Sequence, residues 1–85
     1  MAYRIRVERH AEKDLDDLSA SVRRRVIQRI RGLATEPRPR GCVKLAGAED
    51  LWRLRVGDYR LIYSVDDHES VVRIGYVRHR RDAYR

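Results

Sequence analysis

The chain has a single cysteine, Cys42, so no disulfide can form within it, and a lone thiol suits a reducing compartment. It also lacks any apolar run approaching the roughly 18 residues that a bilayer-spanning helix needs. Met1 to Val7 alternate apolar with basic residues, which is not the apolar core of a secretory leader. These absences exclude a disulfide scaffold and a helical membrane protein, and they make the cytoplasm the expected location. His10, His68 and His79 have no metal-ligand spacing, and Cys42 has no nearby partner for one. No glycine-rich phosphate loop occurs, and Ser19, Ser21, Ser64 and Ser70 sit in no nucleophile motif. Neither a metal nor a cofactor is therefore expected. Asp14, Asp16 and Asp17 are adjacent acids on a helix, which do not converge on one ion, and they read as a solvated face.

Lysine is nearly missing as well. The 20 basic residues, set against 13 acidic ones for a net charge of +7, include only Lys13 and Lys44 besides arginine. Either cation would serve solubility, but arginine carries a planar fork that holds phosphate through two bonds and stacks on bases. A GC-rich genome also inflates arginine, so position has to decide what these residues do. At 85 residues and 42% hydrophobic, residues 1–85 are expected to form one domain with a modest core.

Tyr3, Ile5 and Val7 alternate with charged residues, a period of two that reads as a half-buried strand. From about His10 the spacing becomes helical through Ala11, Leu15 and Leu18, and Ser19 or Ser21 can end this helix and cap the next. Val22, Val26, Ile30 and Leu33 form the apolar stripe of a second helix, which must stop by Glu36 because Pro37 and Pro39 follow. Strands are then expected over Val43 to Leu45, Trp52 to Val56, Tyr59 to Val65 and Val71 to Val77. Gly57-Asp58 and Asp66-Asp67-His68 supply turns. The fold class is α+β in the order β-α-α-β-β-β-β. Short connections imply a mostly antiparallel twisted sheet with a helical hairpin packed on one face. Trp52 and Tyr63 are expected in the core.

If Trp52, Leu54 and Val56 face the helices, Arg53 and Arg55 share the opposite face. Arg60 follows across the tight turn, and a basic tail from Arg78 to Arg85 adds Arg78, Arg80, Arg81 and Arg85. Like charges gathered this way repel one another and make sense when a polyanion neutralises them. Tyr84 offers a ring for stacking a base and a hydroxyl for a phosphate.

The run Leu51-Trp52-Arg53-Leu54-Arg55-Val56-Gly57-Asp58-Tyr59-Arg60-Leu61-Ile62-Tyr63, with the ending His79-Arg80-Arg81-Asp82-Ala83-Tyr84, resembles the RelE branch of the RelE/ParE toxin superfamily. The order and lengths of the elements match along nearly the whole chain. The resemblance implies a toxin of a type II toxin–antitoxin system that cleaves messenger RNA in the ribosomal A site. Its partners would be the ribosome, mRNA and a cognate antitoxin wrapped over sheet and helices, in a heterodimer or larger complex, with no membrane involved. By the same likeness the catalytic surface comprises Arg53, Arg55, Arg60, Arg80 or Arg81, and Tyr84. The best-known members carry lysine where Arg53 and Arg55 stand. Arginine, with a pKa above about 12, cannot take the role of general base. The sister ParE branch shares the fold and poisons DNA gyrase without cutting RNA, and a catalytically degenerate nucleic-acid-binding member is a further alternative.

Cleavage through RNA's own 2′-OH needs a base, stabilisation of a phosphorane and an acid for the leaving oxygen. Arg60 with Arg80 or Arg81 suits the phosphorane, while Arg53, Arg55, Arg78 and Arg85 suit the substrate backbone. His79 is the tail group whose ordinary pKa fits proton transfer. Strand alternation equally allows it to lie packed on the other face. Tyr84 could stack the scissile nucleotide or move a proton.

Overall fold

The computed structural model describes residues 2–47 and 50–81. Its elements in chain order are β1 (Arg4–Val7), α1 (Arg9–Asp16), α2 (Ala20–Gly32), β2 (Val43–Lys44), β3 (Leu51–Val56), β4 (Tyr59–Asp66) and β5 (Val71–His79). The five strands form one sheet in the order β1-β5-β4-β3-β2. The pairs from β5 to β2 are antiparallel as expected, whereas β1 lies parallel to β5, so the sheet is mixed.

The helical hairpin is closed by polar chemistry at its corner. Ser19 caps α2 by accepting the Val22 N–H at 3.5 Å. Arg23 reaches back over the end of α1, donating to the carbonyls of Leu15 and Leu18 at 3.0 Å and of Asp16 at 3.3 Å. One guanidinium thus ties together three carbonyls at the end of α1 and in the corner that follows it. The buried faces of both helices meet the sheet through Ala11, Leu15, Val26, Ile30 and Leu33 against Leu54, Leu61, Tyr63, Val72, Ile74 and Val77. Trp52 packs against this core while half-buried, with the Arg38 guanidinium 5.2 Å from its ring centre.

Tyr63 is fully buried and donates its hydroxyl to the Pro37 carbonyl at 2.8 Å, tying the loop after α2 to the middle of the sheet. Burial pushes this phenol well above its ordinary pKa, so it remains a donor. A second tie lies at the surface, where Asp67 takes two bonds from Arg38, at 2.8 and 3.1 Å, and one from the Tyr3 hydroxyl at 2.6 Å. The Arg38 and Tyr3 bonds hold the Asp67 carboxyl below its ordinary range. The contribution of this clamp is present above the unfolded carboxylate pKa and is lost as the pH falls through the lowered one.

Two features re-shape β5. The β4–β5 register shifts between Ile62 and Tyr63, which oppose Tyr76 and Ile74, so Gly75 is the extra residue of a bulge. A Cβ on Gly75 would meet the Ile62 carbonyl oxygen at 3.4 Å. The bulge inverts the parity of the strand: Val72 and Ile74 face the core before it, Val77 after it. The second feature is the edge left where β1 ends at its pairing with Ile74. There α1 closes the gap, and the Asp14 carboxylate accepts the Val77 N–H at 2.9 Å. The expectation that Asp14 belongs to a purely solvated acidic face is therefore corrected, because the carboxylate completes a sheet edge that no strand covers. Replacing Asp14 by alanine strands that N–H and is expected to cost about 1–3 kcal/mol. The urea midpoint should fall accordingly, and Asp14→Asn, which keeps an acceptor, should lose less.

Candidate nucleic-acid interface

The face of the sheet opposite the helices carries the arginines. Arg55 pairs with Arg60 across β3–β4, and Arg60 pairs with Arg78 across β4–β5, so three guanidinium-bearing residues stand in one row over three strands. Directly opposed residues lie about 4.5–5.5 Å apart at Cα, and like charges so placed destabilise a sheet. The next row is Arg53, Ile62 and Tyr76, and neither row contains a carboxylate. Arg53, Arg60 and Arg78 are half-buried, whereas Arg55 is exposed.

The local fold accounts for each position. The tight turn at Gly57-Asp58 brings Arg60 back opposite Arg55. It relies on Gly57 at φ +60°, a left-handed conformation, with the Arg25 guanidinium 3.3 Å from where a Cβ would sit. Arg55 donates its Nε to the Gly57 carbonyl at 2.9 Å, which aims its fork along the turn. The Gly75 bulge turns Tyr76 and Arg78 onto the arginine face, where the Arg78 guanidinium lies 4.9 Å from the centre of the Tyr76 ring.

Beyond the row the placement of the expected residues divides. Strand β5 extends to His79, so Arg78 and His79 belong to the sheet and not to a tail. Arg80 and Arg81 form an exposed turn beside the Gly57-Asp58 turn, with the Arg80 N–H donating to the Asp58 carbonyl at 2.7 Å. His79 pairs with Tyr59 on the helix side, its ring edge-on to the Tyr59 ring at 5.2 Å. Its Nδ1 accepts the Arg81 N–H at 3.3 Å, an arrangement that fixes the turn from behind. Thus Arg53, Arg55, Arg60 and Arg78 come together, Arg80 and Arg81 adjoin them, and His79 faces away. Tyr84 and Arg85 lie outside the described residues.

Three contributors were not singled out from the sequence. Arg25 and Arg29, one helical turn apart on α2, line a groove of about 310 Å³ with Arg55 and Gly57, which carries the basic surface around the turn. The i, i+4 spacing of the two arginines was the available signal. Tyr76 is the third, exposed at 39%, and the glycine preceding it within a strand was its signal. Among the described residues no group of three or more His, Cys, Asp or Glu side chains could hold a metal ion, and no helix is long and apolar enough to cross a membrane.

Comparison with known proteins matches this geometry to one family. The model of the ParE toxin of type II toxin–antitoxin system, parDE, covers residues 5–84. The toxin RelG of Mycobacterium tuberculosis is 34% identical over 86 residues, spanning all of this chain and 99% of the relative. Among solved structures, a chain of the archaeal RelE–RelB complex from Pyrococcus horikoshii superposes with a TM-score of 0.84 at 36% identity, covering 94% of this chain and 97% of that one. A chain of the intact E. coli RelBE toxin–antitoxin complex gives 0.80 at 28% identity, covering 92% and 96%. With the fold, the family match and these relatives in agreement, the chain belongs to the RelE/ParE toxin superfamily of type II toxin–antitoxin systems and is RelE-like.

Proposed function

We propose that the chain is a ribosome-dependent endoribonuclease that cuts messenger RNA through the RNA's own 2′-OH, and that a cognate antitoxin protein holds it in check. The observation that carries this reading is the row Arg55, Arg60 and Arg78 across three adjacent strands. Folding gains nothing from like charges at opposed positions, and a bound polyanion relieves them. In the proposed reaction the 2′-OH gives up its proton to a base, and its oxygen bonds to the adjacent phosphorus to form a phosphorane with extra negative charge. The phosphorus–5′-oxygen bond then breaks, the leaving oxygen taking up a proton to become a 5′-hydroxyl beside a 2′,3′-cyclic phosphate. Arg60, with Arg80 or Arg81 from the neighbouring turn, stabilises that charge, while Arg53, Arg55, Arg78 and Arg85 hold the backbone. Arginine cannot deprotonate the 2′-OH, so the base lies elsewhere, with Tyr84 and ribosomal RNA as the available sources. His79 holds the Arg81 backbone from the helix side, which supports a positioning role for it over proton transfer.

The solved RelE-like relatives include toxin–antitoxin complexes, which supports an antitoxin partner for this chain too. A domain this small gains stability from a partner that covers apolar surface, in a heterodimer or a larger complex. The work would be done in the cytoplasm, where the ribosomes are.

The matching family model is that of a ParE toxin, which favours one second reading, a gyrase poison that cuts no RNA. A purified translation system programmed with a defined mRNA separates the two. With the protein present, primer extension is expected to find new 5′ ends inside A-site codons, and none on ribosome-free RNA. Intact mRNA together with inhibited gyrase supercoiling would overturn the nuclease reading.

A further inference from the structure

The arginine face is not uniformly basic or uniformly flat. Beside the bulge lies a hollow of about 160 Å³ walled by Leu51, Ile62, Gly75 and Tyr76, with Glu8 and Arg73 also lining it. The absence of a side chain at Gly75 and the shifted register there leave the space open. Its lining is largely apolar, yet it sits amid charge, which is the usual make-up of a site for a flat heterocycle.

Glu8 is the unexpected member. It occupies the N-cap of α1, where serine, threonine, aspartate or asparagine is preferred, and its side chain makes no capping bond. Among the described residues the one ion pair within 4.0 Å is Arg38–Asp67, so Glu8 and Arg73 do not neutralise each other. A carboxylate on a phosphate-binding face repels the backbone and weakens binding unless a base donates to it. The hollow therefore presents an acceptor pair and a donor fork over one apolar floor.

Guanine is the base that fits both. Its N1–H and N2 amino group donate side by side to a carboxylate, and its O6 and N7 accept side by side from a guanidinium. Adenine would turn its N6 amino group toward the guanidinium and an N1 lone pair toward the carboxylate. A pyrimidine lacks the second edge. We propose that this hollow is a guanine subsite for an unpaired base of RNA, with Glu8 reading N1–H and N2 and Arg73 reading O6 and N7. The proposal rests on the RNA-binding reading above and adds the base that the face selects. The flanking phosphates of that nucleotide fall toward Arg53, Arg60 and Arg78.

The test is fluorescence anisotropy with five-nucleotide oligouridines whose central base is varied, every 2′-OH being methylated to prevent cleavage. Central guanine should bind roughly tenfold or more tighter than adenine, cytosine or uracil, the size of one good bidentate base contact. Inosine, which lacks the N2 amino group, should fall between. Glu8→Gln should erase the guanine preference while the all-uridine RNA binds at least as tightly as to the wild type, because a charge that repels the backbone is gone. This carboxylate makes no capping bond, so the variant should fold normally. Equal affinity for all bases, or a guanine preference that survives Glu8→Gln, would overturn the subsite and leave the RNA reading standing. Failure of the wild type to bind any of these RNAs at low salt would overturn both.

Discussion

If the chain cuts mRNA as proposed, Arg60→Ala is expected to lower the cleavage rate by about 100- to 1000-fold, the loss seen when one donor to a developing oxyanion is removed. Arg60 is the central member of its row, flanked by Arg55 on β3 and Arg78 on β4's other neighbour, β5. A phosphate lying across the three strands would meet the row at this central position. The variant should keep the far-ultraviolet circular dichroism of the wild type, no longer arrest growth on expression, and still bind antitoxin. Arg60→Lys retains a charge but loses the two-pronged geometry, and should recover only part of the rate. An Arg60→Ala protein that remained fully toxic and inhibited gyrase would transfer the chain's activity to the other branch of the superfamily.

Much of the arginine face was legible because β3 alternates cleanly. Once Leu54 and Val56 are assigned to the core, Arg53 and Arg55 have no alternative face, and the short Gly57-Asp58 turn forces Arg60 back beside them. What escaped were consequences of long-range pairing. The parallel partnership of β1 with β5 joins Ile5 to Val72 and Val7 to Ile74, and a period of two says nothing about which strand lies alongside. The same gap hid Asp14, whose role exists only because β1 stops pairing at Ile74 and exposes the Val77 N–H. Gly75 was a visible sign of a bulge, but its effect, turning Tyr76 and Arg78 to the arginine face while Ile74 and Val77 both stay in the core, depends on the register with β4. His79 illustrates the reverse case. Both of its faces were open from the sequence, and its pairing with Tyr59 places it on the helix side.

Tyr63→Ala is expected to be the most damaging single change to the fold. The side chain is wholly buried in β4, and its hydroxyl is bound to the carbonyl of Pro37, itself buried. Truncating a large buried aromatic costs about 3–5 kcal/mol through lost transfer energy and the cavity left behind. A domain of this length is stable by about 4–13 kcal/mol in all, so the isolated variant should lose a large share of its folded population at moderate urea. Tyr63→Phe isolates the hydroxyl: the ring remains, the Pro37 carbonyl loses its partner, and the cost should be about 1–3 kcal/mol. The effect also reaches the arginine face, because Tyr63 adjoins the register shift that sets Tyr76 and Arg78 outward. Urea titrations of wild type, Tyr63→Phe and Tyr63→Ala should therefore give midpoints in that descending order. Added antitoxin should raise each of them, since a partner that binds only the folded chain draws the equilibrium toward it. If Tyr63→Phe unfolded together with the wild type, the Pro37 bond would contribute nothing. The loop after α2 would then be held by the Arg38–Asp67–Tyr3 clamp, and Asp67→Asn would become the damaging change instead.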